Sequence, residues 1–84
     1  MLMEFYGTEC PHCVDMKPLV ERLEKEENVK VEKLETWHDD ENERKRQEMD
    51  KGLCGGVPFF INTANNNYIC GAVPYEELVA WAKS

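Results

Sequence analysis

Four cysteines stand in these 84 residues, at positions 10, 13, 54 and 70. The first two belong to Cys10-Pro11-His12-Cys13, a Cys-x-x-Cys pair whose thiols can cycle between dithiol and disulfide with little backbone movement. The pair sits where a turn, Gly7-Thr8-Glu9-Cys10-Pro11, feeds a helix. A helix N-terminus carries unpaired N–H groups and a partial positive charge, which favour thiolate over thiol. Cys10, at that end, is the expected attacking sulfur. Cys13, one turn in, is the expected resolving sulfur and the more buried of the two. His12 adds a donor and, when protonated, a positive charge beside the Cys10 thiolate. Stabilising the thiolate stabilises the reduced protein and makes the disulfide the stronger oxidant. Glu9, immediately before Cys10, pushes the other way.

Two plainer readings compete for the pair. One is a structural disulfide, which a reducing compartment disfavours. The other is half a metal site, but zinc usually takes a second close pair, and Cys54 and Cys70 are isolated. Cys54, four residues before Pro58, reads as an inert loop thiol or as an accessory thiol open to glutathionylation and oxidation. Cys70, ending a strand beside Gly71, reads as a buried core thiol. A Cys54–Cys70 disulfide stays open, because the sequence does not place the two sulfurs.

The elements that must position these groups follow from periodicity. The chain is long enough for one domain, residues 1–84, with a single modest core. Its residues are 42% hydrophobic and 32% charged, too apolar for a disordered chain. Ten Lys/Arg against seventeen Asp/Glu give a net charge of −7, which argues against nucleic acid and anionic membranes as partners. The longest apolar run, Val57 to Ile61, is too short to span a bilayer. No basic segment followed by an apolar one opens the sequence, so a cytoplasmic location is the expectation.

Met1 to Tyr6 reads as a strand. Met16, Val20 and Leu23, with Leu19 beside them, fall at helical spacing in a helix that ends near Glu27-Asn28 and that Pro18 should kink. Val29 to Thr36 reads as a second strand. From Asp39 to Lys51, ten of thirteen residues are ionisable. Asp39 or Asp40 can cap a helix there, and Asp40/Arg44, Glu41/Lys45, Arg44/Glu48 and Arg46/Asp50 are i,i+4 pairs of opposite sign. Met49 is its only clear apolar residue, so this reads as a solvated, weakly packed helix, with an acidic docking surface as the sharper alternative.

Gly52 closes that helix, and Leu53 to Gly56 form a loop. Val57 to Ile61 reads as a strand opened by Pro58, Asn62 to Asn67 as a hairpin turn, and Tyr68 to Cys70 as the returning strand. Pro74 starts a final helix with Tyr75, Leu78, Val79 and Ala82 on one face. The expected class is α/β, in the order β-α-β-α-β-β-α, a mixed four-stranded sheet covered by three helices. Trp37, Trp81, Phe59 and Phe60 read as core or groove wall, and His38 as a surface loop residue.

Several stretches together resemble a known superfamily. Glu4-Phe5-Tyr6-Gly7-Thr8-Glu9-Cys10-Pro11-His12-Cys13, with Pro18 five residues on, is similar to the active-site stretch of thioredoxins. Gly52-Leu53-Cys54-Gly55-Gly56-Val57-Pro58 resembles their cis-proline loop, and Gly71 through Glu76-Glu77-Leu78 their closing glycine and final helix. The resemblance covers nearly the whole chain, in the minimal, glutaredoxin-sized form of the thioredoxin fold. It implies a cis peptide before Pro58 that sets Val57 beside Cys10, where the Val57 backbone pairs with an extended substrate segment. Pro11, Pro58 and Gly71 complete the substrate surface it implies. It also makes Glu4 a buried acid that exchanges protons with Cys13, with Lys33 as its partner; burial would raise the Glu4 carboxyl toward that task. The plainer reading of Glu4 is a solvent-facing strand residue. Three departures stand out. Glu9 replaces the usual aromatic residue, Pro-His is the dipeptide of the bacterial periplasmic disulfide oxidant, and Gly7-Thr8-Glu9 lacks the basic residue with which glutaredoxins hold glutathione.

The expected function is therefore a thiol–disulfide oxidoreductase that reduces protein disulfides, with Cys10 attacking and Cys13 resolving. It is expected to act as a monomer without a metal or organic cofactor. Its partners would be disulfide-containing proteins and a reductase or glutathione that restores the dithiol. The rivals are a glutaredoxin-like enzyme acting on glutathione mixed disulfides, a metal or iron–sulfur module using Cys10, Cys13 and a third thiol, and a non-catalytic adaptor built on the charged helix.

Overall fold

A computed structural model describes residues 1–84. The elements run β1 (Leu2–Tyr6), α1 (Pro11–Glu26), β2 (Val31–Glu35), α2 (Asp40–Asp50), β3 (Phe59–Asn62), β4 (Asn67–Cys70) and α3 (Tyr75–Lys83). The sheet order is β2-β1-β3-β4. Helix α1 crosses over between β1 and β2, so those strands pair parallel, with Glu4 opposite Lys33. β3 pairs antiparallel with β1, and a tight hairpin returns β4 antiparallel to β3. No helix is long and apolar enough to cross a membrane.

Strand alternation divides the core between the two faces of this sheet. Leu2, Val31 and Phe60 point to one face, where Met16, Val20 and Leu23 of α1 and Leu78 and Trp81 of α3 cover them. The Trp81 ring meets Phe60 edge-on at 5.6 Å, and its Nε1–H donates to the Asn67 carbonyl at 3.0 Å. Met3, Phe5, Phe59 and Ile61 point to the other face, with Leu34, Met49, Cys54 and Val57 packed against them. Phe5 and Phe59, both fully buried, stack at 6.1 Å. β1 thus contributes to both halves of the core and leads, through Gly7-Thr8-Glu9, into the cysteine pair.

Boundaries shift from the sequence reading where backbone geometry overrides periodicity. β2 starts at Val31 because Asn28 takes a positive φ of 53°, leaving Val29 to pack from a loop. α1 runs through Pro18 as one sixteen-residue helix. β3 starts at Phe59, since Val57 and Pro58 turn at a cis peptide. Lys51, in the left-handed region at φ 54°, caps α2, and Gly52 follows at φ 80°.

Two larger corrections concern side chains. Cys70 is not a core thiol: it is exposed on the edge strand β4 and is disulfide-bonded to Cys54. Tyr68, two residues earlier on the same face, is 43% exposed, so that face of β4 lies largely uncovered. Nor is the charged helix solvated on every side. Arg46 and Asp50 are 5% and 2% exposed, and these two, with Met49 partly buried between them, form the face that α2 turns inward.

Candidate active site

Cys10 is the N-cap of α1. Its φ and ψ of −75° and 116° are extended, and its sulfur accepts the Cys13 N–H at 3.3 Å. Pro11 occupies the first helical position, where a missing N–H costs nothing. The two sulfurs lie 2.6 Å apart, with the Cys13 thiol donating to Cys10 Sγ. The expected contrast in burial is absent, since Cys10 and Cys13 are 5% and 4% exposed. Burial pushes the Cys13 thiol up to about 12, helped by its hydrogen bond to Cys10 and opposed by the Gly7 backbone; the Cys10 and Glu4 charges add to the rise. Cys13 is therefore held as a thiol. His12 is exposed beside them.

The cis Val57–Pro58 turn faces Cys10, with the Val57 carbonyl oxygen 3.9 Å from Cys10 Sγ. Gly71, at a φ of 91° that only glycine adopts readily, donates its N–H to the Pro58 carbonyl at 2.9 Å. Cys10, Pro11, Val57, Pro58 and Gly71 are thus tied into one neighbourhood by the start of α1 and the start of β3.

Glu4 lies on β1, 4% exposed, and burial raises its carboxyl to about 7; the Lys33 charge opposes that rise and the Glu24 charge adds to it. Its cross-strand neighbour Lys33 directs Nζ to Glu24 Oε1 at 2.9 Å. Lys33 therefore acts on Glu4 through space only. Glu4 and Cys13 line one open cavity of about 330 Å³, together with Tyr6, Lys17 and Lys33.

Comparison with solved structures bears on the fold. A glutaredoxin from Archaeoglobus fulgidus superposes with a TM-score of 0.68 at 17% sequence identity, covering 99% of this chain and 86% of the other. The fold is thioredoxin-like. No family model matches the sequence, and no curated protein matches it either.

Within this thioredoxin-like frame, three features of the site were not foreseen. His38 is exposed, as expected of a loop residue, yet its Nε2 meets the Glu9 carboxylate at 2.8 Å, so the charge next to Cys10 is paired. The Glu9 hydrogen bond and charge raise the His38 imidazole. Glu35 fastens the two loops concerned: Oε2 accepts the Thr8 N–H and hydroxyl at 3.0 and 3.1 Å, and Oε1 accepts the His38 N–H at 2.7 Å. Trp37, 51% exposed, lies over Gly7 so closely that a β-carbon there would run into the ring. Nothing in the local sequence, Thr36-Trp37-His38, signals this contact.

The third feature is the loop before Pro58. The Cys54–Cys70 disulfide joins it to β4, and the Asp50 carboxylate accepts the N–H groups of Cys54 and Gly55. With Cys54 and Cys70 bonded to each other, neither is a donor for a metal. No group of three or more His, Cys, Asp or Glu side chains stands close enough to hold one.

Proposed function

We propose that the protein is a thiol–disulfide oxidoreductase that reduces protein disulfides. The observation that carries this reading is the paired Cys10 and Cys13 sulfurs, 2.6 Å apart at the start of α1, facing the Val57 carbonyl. The Cys10 thiolate attacks one sulfur of a substrate disulfide. That S–S bond breaks, the first substrate thiolate leaves, and Cys10 is joined to the second. Cys13 then attacks Cys10 Sγ, the second substrate thiolate leaves, and Cys10–Cys13 ends as the disulfide, two electrons having passed to the substrate.

The order of the two attacks follows from what holds the Cys13 proton. Part of its rise comes from the hydrogen bond and charge of Cys10. Both vanish once Cys10 is in a mixed disulfide, so Cys13 becomes easier to deprotonate at the moment it is needed. Glu4, raised to about 7 and lining the same cavity, is the base that takes the proton. Val57 supplies backbone for an extended substrate segment, flanked by Pro11, Pro58 and Gly71. His12, exposed beside Cys10, favours the thiolate when protonated.

The protein acts as a monomer in this reading, and a reductase or glutathione restores the dithiol. A second reading, exchange with glutathione mixed disulfides, draws on the likeness to a glutaredoxin fold. Against it, Gly7-Thr8-Glu9 supplies no cation for a glutathione carboxylate. The cytoplasm remains the proposed compartment, although the Cys54–Cys70 disulfide argues for a more oxidising one.

The test is insulin reduction with dithiothreitol as donor, compared with the rate without protein. Cys10→Ser should abolish catalysis, and Cys13→Ser should accumulate mixed disulfides visible by mass spectrometry. Wild-type activity in Cys10→Ser would end the proposal. Glutathione-coupled turnover of a small disulfide exceeding insulin turnover would favour the second reading.

A further inference from the structure

The last turn of α2 places a carboxylate under the loop that faces Cys10. Asp50 is 2% exposed, and three donors converge on it. Arg46 Nη1 reaches Oδ2 at 2.7 Å, the Gly55 N–H reaches Oδ2 at 2.6 Å, and the Cys54 N–H reaches Oδ1. Burial alone would raise the carboxyl, yet the two loop N–H groups and Arg46 hold it below the usual carboxylate range. Arg46 is gripped in turn by Glu43, with Nε to Oε1 and Nη2 to Oε2 both at 2.8 Å. One stripe of α2, Glu43–Arg46–Asp50, therefore ends on the backbone of Cys54 and Gly55.

The helix does not need this stripe to terminate. Lys51 already caps α2, donating its N–H to the Gln47 carbonyl at 3.1 Å. What needs it is the loop. Gly55 has a φ of 80°, and no atoms lie within 4 Å of where a β-carbon would stand at Gly55 or Gly56. Two glycines with open space where a side chain would stand leave a segment with wide intrinsic conformational freedom. Two residues beyond Gly55, the Val57 carbonyl is 3.9 Å from Cys10 Sγ. The Asp50 carboxylate and the Cys54–Cys70 bond restrain this stretch, beside the Leu53 N–H that donates to the Asp50 backbone carbonyl at 3.0 Å.

We propose that Asp50 is a positioning residue for disulfide exchange. By holding the N–H groups of Cys54 and Gly55, it sets the Val57 backbone at the distance from Cys10 where an extended substrate segment can pair. Arg46 keeps the carboxylate aimed at the loop. The inference rests on the oxidoreductase reading above and concerns recognition of polypeptide substrates, not the reactivity of the thiol.

Asp50→Asn tests it, because an amide puts an NH₂ where an oxygen accepted a donor. The kcat/KM for insulin reduction should fall by about tenfold, carried by KM rather than kcat. The rate at which iodoacetamide alkylates Cys10, which needs no paired segment, should stay within about twofold of wild type. Arg46→Lys keeps the charge but loses the forked contact with Glu43, and it should move KM the same way by about threefold. If wild type fails to reduce insulin, the oxidoreductase reading fails. If wild type is active and KM is unmoved in Asp50→Asn, or Cys10 alkylation falls in step with turnover, the positioning role is overturned. Should Asp50→Asn not fold, an unmoved KM in folded Arg46→Lys overturns it equally.

Discussion

Glu4 and Cys13 face one cavity from opposite elements, a carboxyl on β1 and a thiol on the first turn of α1, each at most 4% exposed. Both are displaced upward by burial, to about 7 and about 12. Each is therefore held protonated more firmly than in water.

That relationship sets a pH dependence of stability. Glu4 rises from its ordinary 4.5 to about 7 on folding, so between those values the native state binds more protons than the unfolded one. Its stabilisation is complete below pH 4.5 and is lost as pH rises through about 7. The full span is worth on the order of 3 kcal/mol. Glu4→Gln should flatten the decline and exceed wild type in stability at pH 8, as urea unfolding at pH 5 and pH 8 would show. A wild-type curve equally steep in the variant would mean that another group sets the slope.

The same substitution separates chemistry from stability. Without a base at Glu4, resolution by Cys13 should slow on the order of a hundredfold. Acid-quenched samples should then hold the Cys10 mixed disulfide with substrate, while the first attack keeps its rate. Resolution at wild-type speed in Glu4→Gln would remove Glu4 from the proton path.

Local chemistry was legible in the sequence, and distant chemistry was not. Cys10, Pro11 and Cys13 are set by one turn and one helix start, so spacing alone describes them. The β-α-β-α-β-β-α order follows from periodicity for the same reason. Arg46 and Asp50 were visible as a pair of opposite charges, but i,i+4 spacing is identical on a solvated face and a buried one. What marks the buried face is the loop before β3, which returns to donate the Cys54 and Gly55 N–H groups to Asp50. Cys70 failed similarly, because alternation in a four-residue strand does not say which face a helix covers. The Glu9–His38 pair spans 29 positions and has no local signature.

The Cys54–Cys70 bond should be measurable as both a count and an energy. Alkylation of denatured protein without reductant should modify two of four cysteines when Cys10 and Cys13 are first reduced selectively. Closing a loop with a sequence separation of 16 should contribute about 3 kcal/mol by chain entropy. The Cys54→Ser/Cys70→Ser double variant should lose that amount in chemical denaturation. Four reactive thiols in protein isolated from its own compartment would mean that the bond does not persist there.

Gly7 should resist even the smallest side chain. Its β-carbon direction points into the Trp37 ring, whose outer face is in solvent. Gly7→Ala should therefore displace the ring outward, at about 1–2 kcal/mol, rather than unfold the protein. Trp81 is 5% exposed and distant in the fold, so a red shift in emission would report Trp37. An unshifted spectrum with unchanged stability would mean that the turn, not the ring, gives way.

The pairing of Glu9 with His38 bears on the direction of electron flow. Glu9 lies next to Cys10, and its charge opposes a thiolate there. His38, raised by that same carboxylate, offsets the charge while it is protonated. His38→Ala leaves Glu9 uncompensated, destabilises the reduced protein and should make the Cys10–Cys13 couple more reducing. Glu9→Gln should move it the opposite way. Both side chains are about 60% exposed, so the shifts should be small and should shrink as salt is added. Equilibration in glutathione buffers at pH 6 and pH 8, read by alkylation and mass spectrometry, separates the effects. The His38→Ala difference should be larger at pH 6, where the imidazole carries its charge, than at pH 8. Equal differences at both pH values would mean that His38 acts on the turn by its shape rather than its charge.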